Sequence, residues 1–170
     1  MKALIMSDSH GLTEEVQLIK ERHQGEVDAV FHCGDSELPL CEPTLEKIHI
    51  VMGNCDYDQK LPEEIIVDIK GVRFFVTHGH LHNVKSTLMN VKYRAEETNA
   101  QVVCFGHSHI AGVDYIDGIL FLNPGSIHLP RVRREKTYAI LEIEENKATV
   151  QFFEDSGKQV NELTHHFSLA

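Results

Sequence analysis

The chain has 170 residues, a formal charge of −10 and 42% hydrophobic residues. That is enough for one domain with its own core and too little for two ordinary ones. The acidic balance excludes the basic face that nucleic-acid binding needs, four cysteines without a CxxC pair exclude a disulfide framework, and no apolar run approaches the ~20 residues of a membrane span. A soluble, cytoplasmic, single-domain protein over residues 1–170 is expected, binding neither nucleic acid nor membrane. The twelve histidines are the feature that composition leaves to be explained.

Ala3-Leu4-Ile5-Met6 reads as a first strand, apolar on both faces as a central strand is. It ends in Ser7-Asp8-Ser9-His10, and Gly11 turns the chain. Thr13 is placed to cap a helix through His23, with Glu14 and Glu15 in its first turn and Val16, Leu18 and Ile19 inward. Residues 28–33 form a second strand closing in Gly34-Asp35. Strand, helix, strand is the pattern of a parallel sheet. Residues 36–43 read as loop, with a helical turn at 44–47. Residues 48–52 make a third strand, ending in Gly53-Asn54-Cys55-Asp56. Extended runs at 64–69 and 72–76 flank Lys70-Gly71 and suggest a hairpin, which delivers Thr77-His78-Gly79-His80. A second helix runs from Ser86, its cap, to Thr98, with Leu88, Val91 and Ala95 on one side. The buried run 102–105 leads into Gly106-His107-Ser108-His109. Runs at 111–116 and 119–122 pair around Asp117-Gly118 and end in the tight turn Asn123-Pro124-Gly125-Ser126. Residues 138–142 and 148–153, joined at Glu145-Asn146, and a weaker run to Phe167 read as antiparallel strands. The fold class is α/β: a four-layer α/β/β/α sandwich of two mixed sheets flanked by helices.

Residues presented at strand ends are Asp8, His10, Asp35, Asn54, His78, His107 and His109. In extended backbone, residues two apart share a side, so Asp8 with His10 and His107 with His109 would emerge as pairs. Strand ends are where open α/β folds place ligands. The mixed oxygen and nitrogen donors suit Mn, Fe, Ni or Zn, and the lack of a thiolate cluster argues against structural zinc. Seven donors exceed one ion's shell but fit two ions sharing a bridge, ~3.5–4 Å apart. Asp35, on a glycine turn in the middle of the set, is the natural bridge. His32 reads as a core or sheet histidine, and His23, His49, His82, His165 and His166 as surface. His128 is placed at the pocket rim, Cys33 and Cys104 in the core. Arg131, Arg133 and Arg134 form a basic loop, either simply solvated or engaged in substrate recognition. The Asn123–Ser126 turn reads as a buttress for the ligand loops.

In this order, Asp8-x-His10, Gly34-Asp35, Gly53-Asn54-x-Asp56, His78-Gly79 and Gly106-His107-x-His109 resemble the motifs of calcineurin-like metallophosphoesterases. Gly53-Asn54-Cys55-Asp56, Thr77-His78-Gly79-His80-Leu81 and Asn123-Pro124-Gly125-Ser126 are similar to its small single-domain bacterial and archaeal phosphodiesterase branch. The resemblance covers Asp8 to about Ser126. It implies one ion held by Asp8, His10, Asp35 and His109, and another by Asp35, Asn54, His78 and His107. Manganese is the expected metal, with Ni, Fe or Zn as alternatives. It further implies a phosphodiesterase in which hydroxide bridging two divalent ions attacks phosphorus in line. Asn54 and Asp35 are then the catalytic residues, with Asn54 and His80 contacting a small phosphodiester substrate. The wider superfamily carries a histidine at the position of Cys55, where it assists the leaving group and is oriented by the next acidic residue. A thiol is a poorer proton donor, and the small branch shares it. Two rival readings are a protein-binding scaffold, since the retromer scaffold subunit looks like this fold, and a phosphomonoesterase. The complete ligand set favours an enzyme over a scaffold, and the missing histidine favours diesters. Homo-oligomerisation is left open.

Overall fold

A computed structural model describes residues Met1–Leu169. In chain order its elements are β1 (Lys2–Met6), α1 (Glu14–Arg22), β2 (Ala29–His32), β3 (His49–Ile50), β4 (Glu64–Ile69), β5 (Val72–Thr77), α2 (Met89–Thr98), β6 (Val102–Cys104), β7 (Gly112–Ile116), β8 (Ile119–Asn123), β9 (Thr137–Glu144), β10 (Lys147–Glu154) and β11 (His165–Ser168). The strands form a six-stranded sheet ordered β11-β10-β9-β1-β2-β3 and a five-stranded sheet ordered β4-β5-β6-β8-β7. Both sheets are mixed. β1 lies parallel to β2 and antiparallel to β9, while β6 lies parallel to β5 and β8 between two antiparallel hairpins.

Alternation along the strands builds the layers. Ala3 and Ile5 of β1 face Phe74 and Val76 of β5 between the sheets, with Cys33, Cys104 and Leu122 in the same core. Phe31 stacks on Phe74 across that interface at 4.8 Å between ring centroids. Leu4 and Met6, on the other face of β1, pack against Val16 and Ile19 of α1. Phe75 and Phe121 likewise pack against Val91 and Ala95 of α2. Helix, sheet, sheet, helix is the expected four-layer order.

Several local expectations are corrected. Thr13 has helical backbone angles and makes no side-chain cap. Leu18 is 57% exposed, because Val16 and Ile19, three apart, define the buried stripe and Leu18 falls outside it. Helix α2 starts at Met89 and not at Ser86. The intervening residues form a turn on Asn83, and the Thr87 hydroxyl accepts the Met89 N–H. β3 keeps only His49 and Ile50, the two residues that find partners on β2. The helical turn expected at 44–47 is a 3-10 turn at Pro43–Leu45. His23 is buried and not on the surface, since its Nε2 meets the Tyr138 hydroxyl at 2.9 Å.

Candidate metal centre

The loops that follow β1, β2, β5 and β6 are stitched together by their own backbones. Asp8 N–H donates to the Gly34 carbonyl and His10 N–H to that of Asp35, both at 3.0 Å. Gly106 N–H donates to the His78 carbonyl at 3.0 Å, and the Ser126 hydroxyl to the Asp8 carbonyl at 2.7 Å. Asn123 Nδ2 bonds the Gly106 carbonyl and the Ser108 hydroxyl. The 123–126 turn is thus the buttress that the sequence suggests.

The ligand loops are not extended. Asp8, His10, Asp35, His107 and His109 all have positive φ, between 43° and 67°, a region a non-glycine residue seldom occupies. Asp8 and His10 therefore meet in one cluster through left-handed backbone, and not through a continued strand. Such strain persists only where surrounding structure overrides it, and it gathers at functional sites. Two glycines permit the close packing. A Cβ on Gly53 would overlap the Asp35 carboxylate, and one on Gly106 would overlap the Ser7 hydroxyl and crowd Asp8 Oδ2.

Three histidines have one ring nitrogen already committed. His78 Nδ1 lies 2.7 Å from the Cys33 carbonyl, and His109 Nδ1 2.7 Å from that of Leu129. His10 Nδ1 lies 2.5 Å from Glu37 Oε1. A carbonyl or carboxylate can only accept, so each Nδ1 carries the proton and each neutral ring turns its Nε2 lone pair into the site. Those lone pairs face other acceptors. His10 Nε2 is 3.5 Å from His109 Nε2, which is 3.1 Å from Asp8 Oδ1. His78 Nε2 is 3.0 Å from Asn54 Oδ1, 3.3 Å from Asp35 Oδ2 and 4.0 Å from Asp8 Oδ1. Asp8 Oδ1 itself is buried without a hydrogen-bond donor. Acceptors packed against acceptors need a cation between them, and this donor set fits divalent ions.

Among the described residues, ligand atoms of Asp8, His10 and His109, of Asp8, Asp35 and His78, and of His10, Asp35 and Cys55 each fall within 4.8 Å of one another. Asp8 thus reaches both halves of the centre, whereas the motif resemblance puts it in one. The Cys55 thiol is one of these ligand atoms. His107 joins none of these groups. Its ring is 5.0 Å from that of His78, and its backbone N–H donates to Asp8 Oδ2 at 3.2 Å. His80 sits at the rim, 5.4 Å from the His78 ring and 6.1 Å from that of His107. His128 sits 6.3 Å from the His10 ring on the opposite rim.

Charge explains the titration of the ion-free site. Burial opposes ionisation of Asp8 and Asp35, but the facing imidazoles hold both carboxyls below their usual range. His109 is raised by Asp8. His78 is raised too, since Asp35 and Asp8 outweigh its burial. Burial and His78 push His107 down to about 4. Partial desolvation and the Asp35 carboxylate raise the Cys55 thiol to about 11.

Three supporting residues carry no signal in the sequence: Glu37 and the carbonyls of Cys33 and Leu129 orient ligand rings, and their positions follow only from the fold. Asp56 belongs to a motif, but the role expected of it is corrected. It does not orient residue 55: Oδ2 accepts the N–H groups of Asp35 and Gly53, and Oδ1 those of Glu37 N–H and Ser36 Oγ–H. Of the basic loop, Arg133 is tied to Glu135 and Glu162, and Arg131 N–H bonds the His109 carbonyl at 3.0 Å.

A family model, the calcineurin-like phosphoesterase superfamily domain, matches residues 1–146. The "probable metallophosphoesterase YsnB" of Bacillus subtilis is 52% identical, over 99% of this chain and all of that protein. A Methanocaldococcus jannaschii protein named phosphodiesterase MJ0936 is 30% identical, over 74% of this chain and 83% of that one. A solved structure of a conserved, uncharacterized Streptococcus pneumoniae protein superposes with a TM-score of 0.95 at 38% identity, covering 98% of this chain and 97% of that one. Vps29 of Entamoeba histolytica shares the fold, with a TM-score of 0.77 at 20% identity over the whole of both chains.

Proposed function

The chain belongs to the calcineurin-like phosphoesterase superfamily, and from that premise we propose that it is a phosphodiesterase working with two divalent ions. One observation carries this reading: the Nε2 atoms of His10, His78 and His109 converge with carboxylate and amide oxygens, an arrangement of donors to metal that a bound cation would hold together. Such ions supply the Lewis acidity and activated water that metal-dependent phosphoester hydrolysis requires. Asp8, His10, Asp35 and His109 hold one ion, and Asp35, Asn54, His78 and His107 the other. Asp35 is the shared ligand. Manganese suits this hard and borderline donor set, with Ni, Fe or Zn as competitors.

The residues around the ions divide the remaining work. Exposed Asn54 offers a carbonyl oxygen to metal and keeps an N–H for a phosphate oxygen. His80 faces the same space. Two divalent ions against two aspartates leave a pocket attractive to phosphate on an acidic chain. A diester is favoured over a monoester because the residue beside Asn54 is a weakly acidic thiol, and a relative carries the name phosphodiesterase. Likeness to Vps29 supports shared architecture, and the retained ligand set favours catalysis over a scaffold role. The test is turnover of bis(4-nitrophenyl) phosphate and 4-nitrophenyl phosphate by the metal-free and Mn-loaded protein. Metal-dependent turnover favouring the diester is expected. Preference for the monoester overturns the diesterase reading, and no turnover of either overturns the enzyme reading.

A further inference from the structure

A groove of about 730 Å³ opens directly beside the metal centre. Phe105 and Phe121 belong to the apolar cluster that forms its floor, and Val84 and Leu88 from the same cluster line one wall. Ile110, Gly112 and Asp114 line the other, and His107 and His109 close the end toward the ions. Lys85 and Arg131 also line the groove, and Arg131 is held at the ion end by its N–H on the His109 carbonyl. The acidic residue, Asp114, lies farther along β7, five residues past His109.

We propose that this groove seats one ester group of the substrate, and that the group is flat, apolar and free of negative charge beyond the phosphate. This rests on the phosphodiesterase reading and specifies its substrate class. An open apolar groove joined to a phosphate site fits an aryl or nucleobase-like ring. Positive charge near the ions and a carboxylate beyond them complement an anionic phosphate carrying a neutral or cationic body. They disfavour a second phosphate or a carboxylate at the distal end. The lip of the groove is itself strained. Val132 is 87% exposed at φ 69°, a conformation costly for a β-branched side chain. Its strand of loop is clipped to the metal-ligand loop through Arg131 N–H and the His109 carbonyl.

Gly112 provides the probe. A Cβ there meets nothing within 4 Å and its φ lies outside the left-handed region, so Gly112→Leu extends into the groove without disturbing β7. Binding of inorganic phosphate, methyl phosphate, phenyl phosphate and 4-carboxyphenyl phosphate to the Mn-loaded protein is measured by calorimetry, without turnover. Phenyl phosphate is expected ~10-fold tighter than methyl phosphate, the return on partly burying one ring in an open groove. Gly112→Leu should erase most of that advantage while moving inorganic phosphate far less. The 4-carboxy group should weaken binding, and Asp114→Asn should recover it. Equal affinity of phenyl and methyl phosphate, or equal losses for both in Gly112→Leu, overturns the groove assignment and leaves the phosphate site standing. Failure of all four to bind overturns the phosphodiesterase reading, and the groove assignment with it.

Discussion

Asp56→Asn perturbs the loops of the metal centre without removing a proposed ligand. The parent carboxylate collects four donors: Asp35 and Gly53 N–H at 2.8 and 2.7 Å on one oxygen, Glu37 N–H at 2.7 Å and Ser36 Oγ at 3.3 Å on the other. Asparagine keeps one oxygen and turns an NH₂ group toward the remaining donors. The cheaper orientation places NH₂ at Ser36 and Glu37, because the serine hydroxyl can rotate to accept and a backbone N–H cannot. One charge-assisted bond is then lost and the Glu37 N–H is left without a partner. At about 1.5–3 kcal/mol for the bond and 1–3 for the orphaned donor, discounted for partial exposure, the loss is about 3 kcal/mol. For a chain this size that is a fall in Tm of about 6–12 °C. The effect reaches the metal site through Glu37, whose carboxylate holds His10 Nδ1. Thermal and urea unfolding of chelated and Mn-loaded protein separates loop stability from ligand linkage. Asp56→Ala, which removes all four acceptors, should be worse still. Unfolding of Asp56→Asn within about 0.5 kcal/mol of the parent would refute the reasoning.

Two other predictions concern protons. Burial holds His32 at about 4, with its Nε2 on the Ser9 hydroxyl and its Nδ1 accepting the Gly34 N–H. The unfolded chain takes up this proton near pH 6.5 and the folded one refuses it, so stability is lost from pH 6.5 down to about 4, by up to ~3 kcal/mol. His32→Gln should show a shallower pH dependence of unfolding free energy across that window, and an unchanged slope would contradict the assignment. At position 55, a thiol raised to about 11 is a weak acid for a departing alkoxide. Cys55→His should raise kcat/KM for alkyl diesters far more than for activated aryl diesters, by up to ~10²-fold where proton transfer limits the rate. Asp56 is occupied by backbone donors and cannot orient the new imidazole, so a smaller gain is in keeping with the structure. Identical leaving-group dependence in the two proteins would exclude a proton donor at this position.

The hairpins were legible because their turns must carry positive φ. Lys70-Gly71 and Asp117-Gly118 do so at both residues, and Glu145 at the first of its pair. The apolar ends of β1, β2, β5 and β6 were legible for a related reason: each run stops at a glycine or a polar donor that the site needs. Strand partners were not. Nothing in residues 137–144 says that β9 lies beside β1, which depends on which edge closes the sheet. His23 looked like a surface residue because its partner, Tyr138, is 115 positions away. The same distance effect hid Glu37, and hid what Asp56 does, because their ring and donor partners come from separate loops. In the ligand set, sequence order pointed to residues that the fold gathers at one place, but for a partly wrong geometric reason, since the backbone there is left-handed and not extended.

The central claim is that this cluster of acceptors holds two cations with Asp35 between them. Metal content of chelated protein titrated with Mn, followed by elemental analysis and anomalous scattering from crystals of the loaded protein, tests it directly. The expected result is two ions per chain about 3.5–4 Å apart, with Asp35→Asn weakening both and lowering turnover in step. Saturation at a single ion, or two ions and near-parental turnover in Asp35→Asn, would contradict it.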